Sequence, residues 1–123
     1  MAVAHVLVIL TLLGDGQLSA AFVNTDSQAA CEQRSAAIAA VLERGGAEVQ
    51  QMRCVPSELR FTRFSHADAA TAPRNAYRVT LGETVLALEP MPDVAQCEAA
   101  ARSAQTPAGS SGFCVTSTQQ LTQ

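Results

Sequence analysis

The sequence predicts an α+β fold: a two-layer sandwich in which an antiparallel or mixed sheet carries two helices on one face. Three observations lead there. The chain writes Cys-Val-x-Ser twice, in "MRCVPS" (52–57) and "GFCVTS" (112–117). Each copy follows a Cys-Glu pair, at Cys31 and Cys97, that opens an alanine-rich run broken by glycines. Further upstream, "LLGDGQLSAAFV" (12–23) and "TLGETVLALEP" (80–90) each place apolar runs around a Gly turn. Counting back from each Cys-Glu sets Gly16 opposite Gly82 and Phe22 opposite Leu88. The unit reads strand, Gly turn, strand, helix, strand, and it occurs twice, which is an internal ββαβ-type duplication. Residues 1–123 are therefore read as one domain of two pseudo-repeats, about 1–64 and 76–123, related by an approximate twofold. Linker 65–75, "SHADAATAPRN", is polar, small and Pro-containing.

The elements follow in order. "HVLVILTLL" and "QLSAAFV" flank Gly14-Asp15-Gly16, a strong hairpin signal. Thr25 or Ser27 can cap the first helix, with Gln28 three residues after Thr25 as in a capping box. Cys31, Ile38 and Leu42 fall on one helical stripe, and Gly45-Gly46 ends it with a left-handed turn. "EVQQMRCV" and "LRFTRF" read as strands separated by Pro56. "AYRVTL" and "TVLALE" flank Gly82-Glu83. Asp93 can cap a shorter second helix, which Thr106-Pro107 stops. "PAGSSG" is a loop, and "GFCVTS" closes the second unit. No helix with a Lys follows that glycine-rich loop, so it is not a phosphate cradle.

Composition narrows the function classes. The chain is 48% apolar, carries a net charge of −3, and all eight of its basic residues are Arg. Those arginines form no basic stripe and no aromatics interleave them, so nucleic acid is not an expected partner. The apolar run Val6–Leu13 is too short to span a bilayer. It has the length of a signal-peptide core, with small residues at Ser19, Ala20 and Ala21, but no Lys or Arg precedes it and Gly-Asp-Gly follows it. The strand is the favoured reading. On this basis residues 1–20 imply a cytoplasmic protein if they are a strand, and a periplasmic or secreted one if they are a signal peptide.

Four cysteines allow three pairings. The repeat selects Cys31 with Cys54 and Cys97 with Cys114, since in each unit one Cys lies early in a helix and the other on the next strand. Four buried free thiols are the alternative. No C-x-x-C is present, which weakens both a zinc site and a redox-active thiol. Neither His5 nor His66 sits in a nucleophile motif, and neither G-x-S-x-G nor H-E-x-x-H occurs. Glu32 and Glu98 correspond under the repeat; surface helix positions explain them better than a paired acid site. No catalytic residue, metal ligand or cofactor is assigned.

One asymmetry points to a partner. "AYRVTL" alternates, with Tyr77, Val79 and Leu81 on one side and Arg78 and Thr80 on the other, as a strand with one wet face does. "HVLVILTLL" is apolar on both sides, and one layer of helices covers one side only. Val6, Leu7, Val8, Ile9 and Leu10 are accordingly expected at an interface, on a central strand whose second face is covered by a partner protein or another copy of the chain. Internal cover by the linker and "LRFTRF" is the alternative. The leading functional reading is a small non-enzymatic interaction or structural module, an accessory subunit or homo-oligomer. A secreted or periplasmic ligand-binding protein stapled by disulfides is the second reading. A small enzyme with a site between the repeats is the third.

Overall fold

Local signals set each element before packing joins them. The computed structural model describes residues 3–63, 73–101 and 106–122. In chain order these form β1 (His5–Leu12), β2 (Leu18–Thr25), α1 (Gln28–Arg44), β3 (Glu48–Pro56), β4 (Asn75–Leu81), β5 (Leu86–Met91), α2 (Val94–Ala101) and β6 (Ser111–Ser117). At the first hairpin Leu13 N–H donates to the Gln17 carbonyl and Gly16 N–H to that of Leu13, with Gly16 at φ 85°. This is a turn closed by a bulge that needs the left-handed region, hence glycine. Asp15 Oδ1 accepts from Gln17 N–H inside it. Ser27, not Thr25, caps α1: its hydroxyl accepts from Ala30 N–H at 3.1 Å. Thr25 instead donates its hydroxyl to the His5 carbonyl across the hairpin. At the far end Gly46, at φ 74°, and Ala47 donate to the Glu43 and Leu42 carbonyls, the double closure of a glycine-terminated helix. Asp93 caps α2 as expected, accepting from Gln96 N–H at 2.7 Å.

Some boundaries move. Gly82 is not the counterpart of Gly16: Gly82 N–H donates to the Val85 carbonyl, so the second hairpin turns through Glu83 and Thr84 and is the shorter of the two. β5 correspondingly begins at Leu86 rather than Thr84. "LRFTRF" forms no strand among the described residues, only an isolated bridge between Phe61 and Leu121. Most of the expected linker, and the residues just before Thr106, lie outside the described residues.

The sheet is mixed and six-stranded, in the order β3-β1-β2-β6-β4-β5. Every neighbouring pair is antiparallel except β2 with β6. Each half places its third strand beside its first and its second beyond, so α1 crosses over β1 and α2 over β4. Two crossovers of like hand on strands of like direction put both helices on one face. A twofold that joined like strands at the centre is not the arrangement, because the unlike strands β2 and β6 meet there.

Register assigns the two faces. Leu7, Ile9, Ala21, Val23, Met52 and Cys54 lie under α1 with Cys31, Ile38 and Leu42. Val6, Val8, Leu10, Phe22, Val55, Tyr77, Val79, Leu81 and Val115 form one buried cluster on the opposite face. No described helix covers that second face. Residues of β1, β2, β3, β4 and β6 bury one another there in a single cluster, with Leu18, Leu86, Leu88 and Phe113 packed against it. Phe61 adds cover, stacking on Phe22 with ring centroids 4.3 Å apart. The interface expected on β1 is thereby corrected in its physical basis. Val6, Leu7, Val8 and Leu10 are 0% exposed and Ile9 is 5% exposed within one chain, so β1 needs no second molecule to cover it. β1 is interior, between β3 and β2, as the expectation of a central strand required.

The junction of the halves is narrow. β2 and β6 are paired only at Leu18 with Val115 and Ser19 with Thr116. Beyond Ser19 the outward backbone of β2 is completed by side chains. Buried Gln119 accepts from Phe22 N–H through Oε1 and donates through Nε2 to the Phe22 and Thr62 carbonyls, all at 2.7–2.8 Å. The Asn24 side chain, on β2 itself, does the reverse for the neighbouring segment, donating to the Leu59 carbonyl and accepting from Phe61 N–H. The Gln119 carboxamide thus stands in for a strand beside β2.

Both free edges carry proline where a donor would face outward. Ser57 N–H donates to the Ala4 carbonyl, which makes His5 with Pro56 a non-hydrogen-bonded pair. Gly82 N–H donates to the Val85 carbonyl, which does the same for Tyr77 with Pro90. The missing N–H of each proline therefore falls on the outer row of β3 or β5, where it disfavours addition of another strand.

Two predictions follow from this packing. Ile9→Asp and Leu10→Asp should both unfold the isolated chain, because each puts an unpaired carboxylate in a core at a cost of about 4–5 kcal/mol against a total of about 5–15 kcal/mol. Circular dichroism would check this, and a folded Leu10→Asp monomer would show the second face to be open. Gln119→Ala should cost about 3 kcal/mol in urea denaturation, since it strands two buried backbone groups of Phe22 and the half-buried carbonyl of Thr62 rather than deleting one contact.

Candidate functional site

Among the described residues, His5, Glu32, Glu98 and the four cysteines lie on the helix-bearing face. Each helix is capped four residues before its cysteine: Cys31 N–H donates to the Ser27 carbonyl and Cys97 N–H to that of Asp93. That places both cysteines on the inward side of the first helical turns, where they are 0% exposed. Cys31 is bonded to Cys54 on β3, with Cα atoms 6.0 Å apart, and Cys97 to Cys114 on β6, at 5.9 Å. Both bonds are the pairings selected by the repeated sequence, and neither crosses between the halves. Each closes a loop worth roughly 3 kcal/mol on the chain-entropy model. No described cysteine is free.

Two shallow depressions open on this face, each of about 520 Å³. The first lies at the start of α1 and is lined by Val3, His5, Ser27, Gln28, Ala29 and Glu32. Its polar groups are engaged locally. His5 Nδ1 donates to the Val3 carbonyl at 2.8 Å. Ser27 is the helix cap, and Glu32 accepts from Gln28 at 3.2 Å. Ser27 therefore holds a backbone donor instead of facing a base, and the triad logic of a nucleophile, a base and an orienting group is absent from these contacts. The second depression is a groove where the halves meet. The first-hairpin turn (Gly16, Gln17, Leu18), α2 (Val94, Glu98, Ala101) and β6 (Gly112, Phe113, Cys114) line it. Glu32 and Glu98 line different depressions, so the corresponding carboxylates do not meet in one acid site. His66 lies outside the described residues. Among the described residues no three His, Cys, Asp or Glu side chains cluster with metal-binding geometry.

Sequence reasoning missed several polar residues that matter. Alternation put Arg78 on a wet face, yet it lies half-buried on the helix side of β4, opposite Cys114, with its Nε buried and without a hydrogen-bond partner. Gly112 makes room for it: a Cβ there would stand 3.0 Å from the guanidinium. Gln119 and Asn24 carry no motif, and their role appears only once β2 and the segments 59–62 and 119–122 come together. Tyr77, read as a core residue, also donates its hydroxyl to the Gln119 carbonyl at 3.1 Å. Comparison with protein-family models, with curated proteins and with solved structures finds no match for this chain.

Burial raises the Tyr77 phenol above its ordinary value of 10.0 by penalising the charged form. A folded-state pKa above the unfolded one means the contribution to stability is complete below the unfolded value and is lost as pH rises toward the folded one. Tyr77 is the only tyrosine, so tyrosinate absorbance reports on it alone. The expected result is ionisation that coincides with loss of the fold above about pH 10. Tyr77→Phe should abolish that alkaline dependence and cost about 1 kcal/mol at neutral pH for the lost hydrogen bond. Free ionisation of a folded chain at its ordinary value would contradict the assignment.

Proposed function

We propose that this protein is a small non-enzymatic interaction module, an accessory subunit or homo-oligomer, that works in an oxidising compartment. The observation that carries the reading is the pair of disulfides, each stapling a helix to its own half of the sheet. Such bonds persist where the surroundings are oxidising, and on that ground they are given more weight than the cytoplasmic reading attached to a strand within residues 1–20. The engaged state of the polar groups supports the non-enzymatic part: Ser27, Thr25, Tyr77, Asn24 and Gln119 all complete backbone valences. A repeated ββαβ unit, taken as an internal duplication, adds a reason for a binding role, because duplication builds surface without needing a reactive centre. With β1 covered from within and both sheet edges carrying outward proline, a partner would meet the helices or loops rather than extend the sheet.

A disulfide-stapled ligand-binding protein is the second reading, and the groove between the first hairpin turn, α2 and β6 favours it. Affinity purification of the oxidised, tagged chain from its native host tests both, followed by sedimentation and mass spectrometry of what is retained. A stoichiometric protein partner or a discrete oligomer is expected. A monomer that retains a small molecule instead would favour the ligand reading. A monomer that retains neither and turns over a substrate would sink both.

A further inference from the structure

We propose that the groove between the halves takes an extended, basic peptide segment of a partner protein, which pairs with an open inner edge of β6; this rests on the interaction-module reading and gives the partner's chemistry. Backbone alternation identifies the open groups. Gly82 N–H donates to the Val85 carbonyl, so the N–H and C=O of Tyr77, Val79 and Leu81 turn away from β5 and toward β6. Their partners in register are Val115, Phe113 and Ser111. The N–H and C=O of Gly112, Cys114 and Thr116 therefore face the other way, toward β2. On β2 the bond from Leu13 N–H to the Gln17 carbonyl sets the matching alternation, which turns Leu18, Ala20 and Phe22 toward β6. The bonds of Phe22 to Gln119 have that direction.

β2 and β6 are paired only at Leu18 with Val115 and Ser19 with Thr116. In a parallel ladder those pairs use both Thr116 groups and the Cys114 carbonyl. Before Leu18 the chain folds back onto β1, so no residue of β2 stands opposite Gly112. Gly112 N–H, the Gly112 carbonyl and Cys114 N–H are left as donor, acceptor and donor in a row at strand spacing, and no described group pairs with them. Gly112 and Cys114 line the groove, so these groups border it. The complement of such a row is the backbone of an extended polypeptide. Charge sets the side chain that comes with it. Among the described residues lining the groove Glu98 alone is charged, and it is exposed on the α2 wall between Val94 and Ala101. A Lys or Arg of the segment meets this carboxylate, on a chain whose net charge is −3. The segment touches α2 and the hairpin loop and pairs with an interior strand, so the outward prolines of β3 and β5 do not oppose it.

The test selects peptides from a random display library on the oxidised full chain, then follows the best of them by calorimetry and amide exchange. The selected sequences should carry Lys or Arg. Bound peptide should slow exchange of the Gly112 and Cys114 amides about tenfold, and N-methylation along the peptide should weaken binding about tenfold at alternate positions only. Glu98→Gln should weaken binding about threefold, the size of an exposed ion pair. Gly112→Pro, which removes one outward N–H, should abolish binding. Gly112→Ala should retain it, since the added Cβ meets only the end of the Arg78 side chain, at 3.0 Å. Circular dichroism checks both variants, and the N-methyl series needs none. Failure to select any peptide, binding that leaves the two amides unprotected, or a uniform N-methyl effect would overturn the proposal. So would protection of the same amides by raising the concentration of the chain alone, which would make a second copy the occupant. A native partner that binds Gly112→Pro and Glu98→Gln at full strength would remove this site and leave the interaction reading standing, whereas absence of any partner or oligomer would remove that reading itself.

Discussion

Two register pairs, Leu18 with Val115 and Ser19 with Thr116, are the whole of the β2–β6 ladder, the Gln119 carboxamide carries the join onward along β2, and the bridge between Phe61 and Leu121 ties the halves a second time. Everything on the face opposite the helices depends on this seam. If the halves parted, Val8, Phe22, Val79 and Val115 would face water together, because no helix covers them. A ladder of two pairs is a weak seam by itself. It suffices because the apolar cluster closes across it and because the backbone groups beyond it are satisfied by Gln119 and Asn24 instead of being buried without partners. Tyr77 ties the system back to β4 through the Gln119 carbonyl.

The helix face is organised differently. There the two clusters of contacts are unequal, and covalent bonds compensate for sparse apolar packing. A chain this rich in alanine buries little area per residue, so α1 relies on a few large side chains and α2 on almost none. The disulfides restrict the unfolded chain where the folded one has little packing to offer.

Chemical groups are distributed accordingly. Hydroxyls and carboxamides that in another protein would meet a substrate here cap helices and complete strands. The free edges of the sheet end in prolines whose missing donors point outward, at Pro56 and Pro90, which discourages uncontrolled strand addition. What remains on the surface is shape, a groove between the halves, and the outer sides of two helices.

The sequence by itself determined the features that depend on near neighbours or on repetition. A cap at Thr25 or Ser27, the cap at Asp93, the glycine end of α1, the first hairpin, and the cysteine pairing were legible because each rests on residues a few positions apart or on a spacing written twice, and the structure chose Ser27 because Thr25 is spent on the His5 carbonyl. The strand character of residues 5–12 was legible from its unbroken apolar run, and so was the need to cover both of its faces. What covers the second face was decided only by tertiary structure, because residues of β1 and of β4, some seventy residues apart, join one buried cluster there with nothing local to announce it. The same is true of Gln119, ninety-seven residues from Phe22 in sequence and within hydrogen-bonding distance in space. A carboxamide that replaces a strand looks like any surface glutamine until both chain segments are in place, since its partners are backbone groups and backbone groups carry no sequence signal.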